Sequence, residues 1–303
     1  RVPVAAYPVR EMGGMYFAYL GPKPAPVLPP FDGFVVPGAI RMLGRTLLPV
    51  NWLQIMENSA DPIHTEWLHG HHYEFQNEGA KVAISEHHEK IAFREFPWGM
   101  TKHRLLVGQS EDSDDWQIGH PLVFPTMLAV GNGDAHVRSY AFQIRTPVDD
   151  RHTLHQWYTA YVPQDRERAA PHLFEGLHVY DVPYLDEKGE FRVDTVDNQD
   201  MMAWCTQGAI ADRTREHLGS TDAGVALFRR MLRREMEKVQ RGEDPIGVVR
   251  DPDLAIIDLP NERNKRHFSD GFGAWLMRTH ARYSPIARDL IDIFDPPVRH
   301  AAE

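Results

Sequence analysis

VRSYAFQIRTPVDDRHTLHQWYTAYV, residues 137–162, reads as two strands joined by a turn. Residues 137–146 and 153–162 are rich in β-branched and aromatic side chains, which suit a pleated, half-buried surface. Apolar and polar residues roughly alternate through 135–146 and 154–161. Such period-2 patterning places one face of an antiparallel sheet on a core. Residues 147–151, beginning with Pro147, supply the turn chemistry. Upstream, residues 81–85, 91–96, 101–107 and 122–130 are further candidate strands, with turn signals at 109–115 and at Gly131-Asn132-Gly133-Asp134. Residues 80–162 therefore predict an antiparallel sheet.

Helical patterns flank it. Trp52, Ile55 and Met56 share a face at i, i+3, i+4 spacing, and the helix extends to Ala60. Asp61-Pro62 permits a restart carrying His64 and His69, with Gly70 as its expected end. After Pro163, residues 165–170 read as a short helix ended by Pro171, and residues 198–208 as another. Residues 222–241 are the strongest helix: Ser220 and Thr221 supply cap oxygens, and Val225, Leu227, Phe228, Leu232 and Met236 form an apolar stripe. A last short helix is expected over 284–294. At the N-terminus, residues 15–20 read as a strand, stopped by Gly21-Pro22 and followed by the stiff, proline-rich PKPAPVLPP. One α+β domain, an antiparallel sheet with helices before and after it, accounts for this order.

The 303 residues are 42% hydrophobic and 25% charged, as in an ordinary globular protein, with ample length for a core. A net charge of -10 gives no global field for nucleic acid or an anionic membrane, and the Arg229-Arg230, Arg233-Arg234 cluster reads as a solvated helix face. No apolar run is long enough to span a bilayer. The single cysteine, Cys205, rules out a disulfide within the chain and points to a reducing, cytoplasmic compartment.

NWLQIMENSADPIHTEWLHGHHYEF, residues 51–75, carries the chemistry. Asp61, His64 and His69 fall in an acid-x2-His-x4-His order. An ideal helix splays residues five apart by roughly 140°, so both imidazoles meet on one metal only if the backbone between them is distorted. The spacing alone leaves open a polar histidine-rich turn, and His71 and His72 compete as ligands. The third ligand sets the metal: two histidines and a carboxylate suit ferrous iron in an oxygenase, three histidines a catalytic zinc. Asp194, Asp197, Asp200 and Asp212 are the candidate carboxylates. Asp200 is favoured because it opens the apolar run Met201-Met202-Ala203-Trp204, where a buried carboxylate needs a partner; the alternative is that these aspartates cap a helix start.

ENSADPIHTEWLHG (57–70) resembles the mononuclear-iron motif of the Rieske-type non-heme iron aromatic ring-hydroxylating oxygenases. NQDMMAWCTQGAIADRTREHLGSTDAG (198–224) resembles the carboxylate-bearing segment of the phthalate-dioxygenase branch. YPVREMGGMYFAYLGP (7–22) resembles the stretch after the Rieske domain of that branch, and WQIGHPLVFPTML (116–128) has its character too. The resemblance implies a helix-grip (START/Bet v1-like) fold, a curved antiparallel sheet gripping helices, with residues 1–30 a linker following a missing Rieske domain and residues 31–303 the catalytic domain. It implies Fe(II) on His64, His69 and Asp200, dioxygen as co-substrate, and Asp61 as an electron-transfer bridge to the Rieske cluster of a neighbouring subunit in a homotrimer; Asp61 also suits a cap ahead of Pro62. It implies a small aromatic substrate, an aromatic acid or aryl ether, hydroxylated or oxidatively demethylated, with a ferredoxin or flavin reductase as donor. Trp204, Phe124 and Met127 are candidate pocket walls. A Rieske [2Fe-2S] cluster needs two cysteines and two histidines, so with Cys205 alone this chain cannot hold it. Two other readings remain: a zinc hydrolase using His64 or His69 with His71 or His72, and a non-catalytic module for apolar ligands.

Overall fold

The computed structural model describes residues 6–76, 86–133, 137–260 and 271–295. In chain order, β1 (Val9–Met12) and β2 (Met15–Ala18) form a hairpin turned at Gly13 and Gly14, whose positive φ angles of 63° and 83° suit glycine. The main sheet follows: β3 (Ile40–Leu48), β4 (His88–Phe96), β5 (Gly99–Leu106), β6 (His120–Val123), β7 (Met127–Gly133), β8 (Arg138–Asp149), β9 (His152–Val162) and β10 (His178–Asp181). Its spatial order is β10-β3-β9-β8-β7-β6-β5-β4, antiparallel throughout except where β10 runs parallel to β3. The helices are α1 (Asp32–Val35), α2 (Trp52–Ser59), α3 (His71–Gln76), α4 (Asp114–Gln117), α5 (Val196–Thr206), α6 (Ala223–Gln240), α7 (Phe272–Met277) and α8 (Ala287–Phe294).

The register of β8 on β9 pairs Ser139 with Tyr161, Gln143 with Trp157 and Arg145 with His155, so these six lie on one face. Ile40, Met42 and Leu48 of β3 continue that face, and they pack against Met201 and Trp204 of α5 and Phe272, Leu276 and Leu290 of α7 and α8. Further along the same face, Met100, Leu122 and Leu128 meet Met56 of α2 and Val225, Phe228 and Met231 of α6. The opposite face presents Tyr140, Phe142 and Tyr158 to Phe31, Phe34 of α1, Ile257 and Leu259. Each fully buried large apolar side chain stabilises by roughly 1.5–3 kcal/mol. The helices that carry the candidate ligands are thus held on the inner face, the helix-grip arrangement.

Residues 91–96, 101–107, 137–146 and 153–162 fall on β4, β5, β8 and β9 as expected. The expected strand at 81–85 lies outside the described residues. Residues 122–130 are two strands rather than one, because Pro125, between β6 and β7, has no N–H to give a ladder. β3 and β10 are additions: β3 holds Gly44 and three arginine or threonine positions, and β10 is four residues long, so neither shows a clean period. Residues 165–170 hold only a single 3-10 turn, Arg166–Arg168. PKPAPVLPP is pinned within its length by Val27 bridging Val249, and just past its end by Phe31 bridging Ile257.

Candidate metal centre

Asn51 caps α2, its side-chain oxygen accepting the Leu53 N–H at 2.9 Å. Where α2 ends, Asp61 caps the next segment, accepting the N–H groups of Ile63 (2.8 Å) and His64 (3.2 Å). Pro62, inside that cap, has no N–H to lose. The backbone then widens: Thr65–Gly70 is π-helical, and the His71 N–H donates to the Glu66 carbonyl five residues back. An i→i+5 ladder is rare and gathers side chains that an α-helix would splay. The rings of His64 and His69 meet with centroids 5.3 Å apart. This turn is the distortion that the five-residue spacing demands. Gly70 does not end the helix, which continues as α3.

Asp200 comes from α5, whose start is capped by Thr195 accepting the Asn198 N–H at 3.1 Å. Its Oδ1 lies 3.2 Å from His69 Nε2 and 4.0 Å from His64 Nε2. The three ligand atoms all lie within 4.8 Å of one another, the one such triad among the described residues. The competing carboxylates are engaged elsewhere. Asp194 pairs with Arg282 at 2.9 Å, Asp197 accepts the His280 N–H at 2.6 Å, and Asp212 caps Thr214. His71 faces Glu74 at 3.4 Å and packs on Trp67, and neither it nor His72 joins the triad.

Gln199 fixes the chemistry of His69. Its amide nitrogen donates to the Val193 carbonyl at 3.1 Å, which turns its oxygen toward His69 Nδ1 at 2.8 Å. His69 therefore donates from Nδ1 and presents Nε2 as a lone pair, as a metal-ligating imidazole does. Nε2 and the carboxylate oxygen it faces are both electron-pair donors, and Asp200 Oδ1 has no hydrogen-bond partner. A cation or a proton belongs between them. Burial pushes the Asp200 carboxyl up, but His69, His64 and Arg145 outweigh it and hold it below the usual range. Burial pushes His69 down, and Asp200 reverses that and raises it. Two imidazoles and one carboxylate are a donor set that fits ferrous iron and leaves coordination positions open.

Asp61 stands beside the triad with Oδ2 at 3.7 Å from His64 Nδ1 and its side chain 27% exposed. Its cap and its access to His64 coexist. The Asp212–Glu216 segment is structural: Arg213 bonds Glu57, and Arg229 bonds both Glu57 (2.7 Å) and Glu216 (2.6 Å), tying α2 to α6.

Of the expected pocket walls, Trp204 is buried on α5 one turn from Asp200 and 5.1 Å from the His155 ring. Phe124 packs on Phe228 of α6 at 5.6 Å. Met127 packs with the core on the opposite face of the sheet and is not brought to the triad. Gln199, Arg145 and His155 are additions to the site. The signal for the last two lies in the strand alternation, which puts a cation and an imidazole on the inward face of β8 and β9.

A family profile described as "LigXa C-terminal domain like" matches residues 178–259. The chain is 39% identical over 262 residues to the 5,5'-dehydrodivanillate O-demethylase oxygenase subunit of Sphingobium sp. (strain NBRC 103272 / SYK-6), covering 86% of this chain and 59% of that protein. It is 27% identical over 286 residues to the phthalate 4,5-dioxygenase oxygenase subunit of Pseudomonas putida, covering 82% and 63%. The chain thus spans about three fifths of the length of these relatives. In structure it resembles NdmA of Pseudomonas putida CBB5, with a TM-score of 0.51 at 13% identity over 84% of this chain and 71% of that one, a likeness of fold alone.

Proposed function

We propose that this chain belongs with the oxygenase subunits of Rieske-type aromatic oxygenases, to which it is similar over about three fifths of their length, and that residues 31–303 form the mononuclear iron domain of a terminal oxygenase. The carrying observation is the convergence of His64, His69 and Asp200, with the Asp200 Oδ1 unbonded between two imidazoles. Ferrous iron bound there supplies the reduction of dioxygen and the hydroxylation or oxidative demethylation of a small aromatic acid or aryl ether. The chain's own residues do the rest. Gln199 fixes the tautomer and ring orientation of His69. The inner-face packing of α5 holds Asp200 away from solvent and ionised. Trp204 forms an apolar wall beside it.

Asp61, partly exposed beside His64, is the electron-transfer bridge to a [2Fe-2S] cluster carried by a neighbouring subunit in a homotrimer. Cys205 cannot complete a four-ligand cluster site, so the electrons start from a ferredoxin or flavin reductase and arrive through residues other than these. A cytoplasmic setting suits the lone thiol.

Metal analysis of anaerobically purified, iron-reconstituted protein tests the proposal. One ferrous ion per chain is expected, with loss of that ion in His64→Ala and Asp200→Ala. Stoichiometric zinc with no capacity for ferrous iron contradicts it and favours hydrolytic chemistry; unchanged metal content in both variants favours a non-catalytic binding module.

A further inference from the structure

Arg145 sits on the inner face of β8 with none of its surface exposed. Its two terminal nitrogens donate to the backbone carbonyl (3.1 Å) and the side-chain oxygen (2.5 Å) of Gln143, and its Nε has no hydrogen-bond partner. Directly across the ladder is His155, equally buried, with neither ring nitrogen bonded. The His155 ring lies edge-on to Trp157 at 4.2 Å and 5.1 Å from Trp204, and both indole N–H groups also lack partners. Trp204 and Asp200 are one turn apart on α5, so this cluster adjoins the triad.

Buried donors without acceptors are uncommon and destabilising, and a buried cation without an anion is more so. Burial lowers Arg145 to about 9, with Asp200 opposing the shift, so the guanidinium stays charged at neutral pH. Burial, aided by Arg145, keeps His155 neutral, with one N–H to donate. No carboxylate forms an ion pair with Arg145 among the described residues. Asp200, the one whose field reaches it, is shared between two histidines and is more than neutralised by a divalent cation. The inner face therefore holds a buried positive centre and, beside it, an imidazole and two indole N–H groups without hydrogen-bond partners.

We propose that Arg145, with His155 opposite, binds the carboxylate of an aromatic acid, making this pair the contact by which the site selects its substrate. A guanidinium offers charge-assisted donors in a fixed geometry that matches a carboxylate, and His155 adds a neutral donor from the neighbouring strand. An aryl ether without an acid group leaves these donors unmet and binds more weakly. The assignment rests on the oxygenase reading of the metal centre.

The test is anaerobic calorimetric titration of the iron-loaded chain with 3-methoxybenzoate and with 3-methoxybenzamide, iron content being measured on the same samples. The wild type should bind the acid at least ~10-fold more tightly than the amide. Arg145→Gln should weaken the acid ~10- to 100-fold, leave the amide nearly unchanged and bring the ratio close to one. Arg145→Lys should keep part of the preference, and His155→Gln should lower it without abolishing it; these two carry the test if Arg145→Gln does not fold. A wild type without preference, including one that binds neither probe at millimolar concentration, overturns the proposal, as does a ratio that Arg145→Gln leaves intact. Iron retained with a flat ratio overturns only this assignment, whereas failure of the wild type to hold iron overturns the oxygenase reading beneath it.

Discussion

Gln199 is the side chain on which His69 depends. Its amide is fixed at one end by the Val193 carbonyl and at the other sets which imidazole nitrogen carries the proton. Gln199→Leu should therefore leave the fold intact and weaken ferrous iron binding ~10- to 100-fold, the usual effect of removing a ligand's hydrogen-bonded support; equilibrium dialysis of iron against both proteins measures it. Asp61→Asn keeps the cap acceptor but removes the charge beside His64. Iron stoichiometry should stay unchanged, while the rate at which a reductase and a cluster-bearing subunit re-reduce the site should fall by at least ~10-fold, read by stopped-flow. At this scale residue type and spacing made His64, His69 and Asp200 candidates beside His71, His72 and three other aspartates, and the resemblance to an iron motif singled them out. Gln199 was hidden because an amide next to a carboxylate in a helix has many ordinary uses. Alternation could place Arg145 on the inward face, but that it stands opposite His155 is a fact of the β8–β9 register.

Among the elements, the π-helical turn Thr65–Gly70 and the α2–α6 ion cluster do the positioning. The turn follows from spacing: histidines five apart cannot share a face on an α-helix. α6 was readable from its stripe and caps, and it runs Ala223–Gln240, within a residue of expectation at each end. β3 escaped reading because its partner, β9, lies more than a hundred residues away and the strand is buried on parts of both faces. On α6, Glu235 accepts from Lys238 and Arg234 (2.9 Å each) and from the Ile246 N–H at 2.8 Å, closing the chain that follows the helix. Burial pushes its carboxyl up, but these donors outweigh it and bring it from 4.5 down to about 2. A depressed acid stabilises the fold above its unfolded value and loses that contribution as pH falls. Glu235→Gln should thus cost about 1–2 kcal/mol at pH 7, discounted because Arg234 and Lys238 are partly solvated. Urea denaturation should show that gap to wild type narrowing as pH drops from 4.5 toward about 2.

On the scale of the whole molecule, one face of an eight-stranded sheet carries two apolar regions, one against α5, α7 and α8 and one against α2 and α6. The polar Gln143, Arg145 and His155 lie on that same face. Alternation in the central hairpin was enough to foresee the sheet and its antiparallel sense, and the flanking patterns foresaw α2, α5, α6 and α8 but not α1, α4 or α7. The two-sided covering was not foreseeable, since the residues that cover the outer face, Phe31, Phe34, Ile257 and Leu259, come from distant, irregular segments. Among the described residues, no helix is long and apolar enough to cross a membrane. The single cysteine of these 303 residues cannot ligate a [2Fe-2S] cluster. Each oxygenation consumes two electrons and a ferrous ion gives one, so the iron-loaded chain given dioxygen and an aromatic acid, but no other electron source, should form at most about half a product per iron; product counted against bound iron checks this. The central claim is that His64, His69 and Asp200 share one ferrous ion. An anomalous difference map recorded at the iron edge from anaerobically loaded crystals tests it most directly. The account predicts one peak about 2.0–2.2 Å from His64 Nε2, His69 Nε2 and an Asp200 oxygen; a peak elsewhere, or one that Asp200 does not ligate, contradicts it.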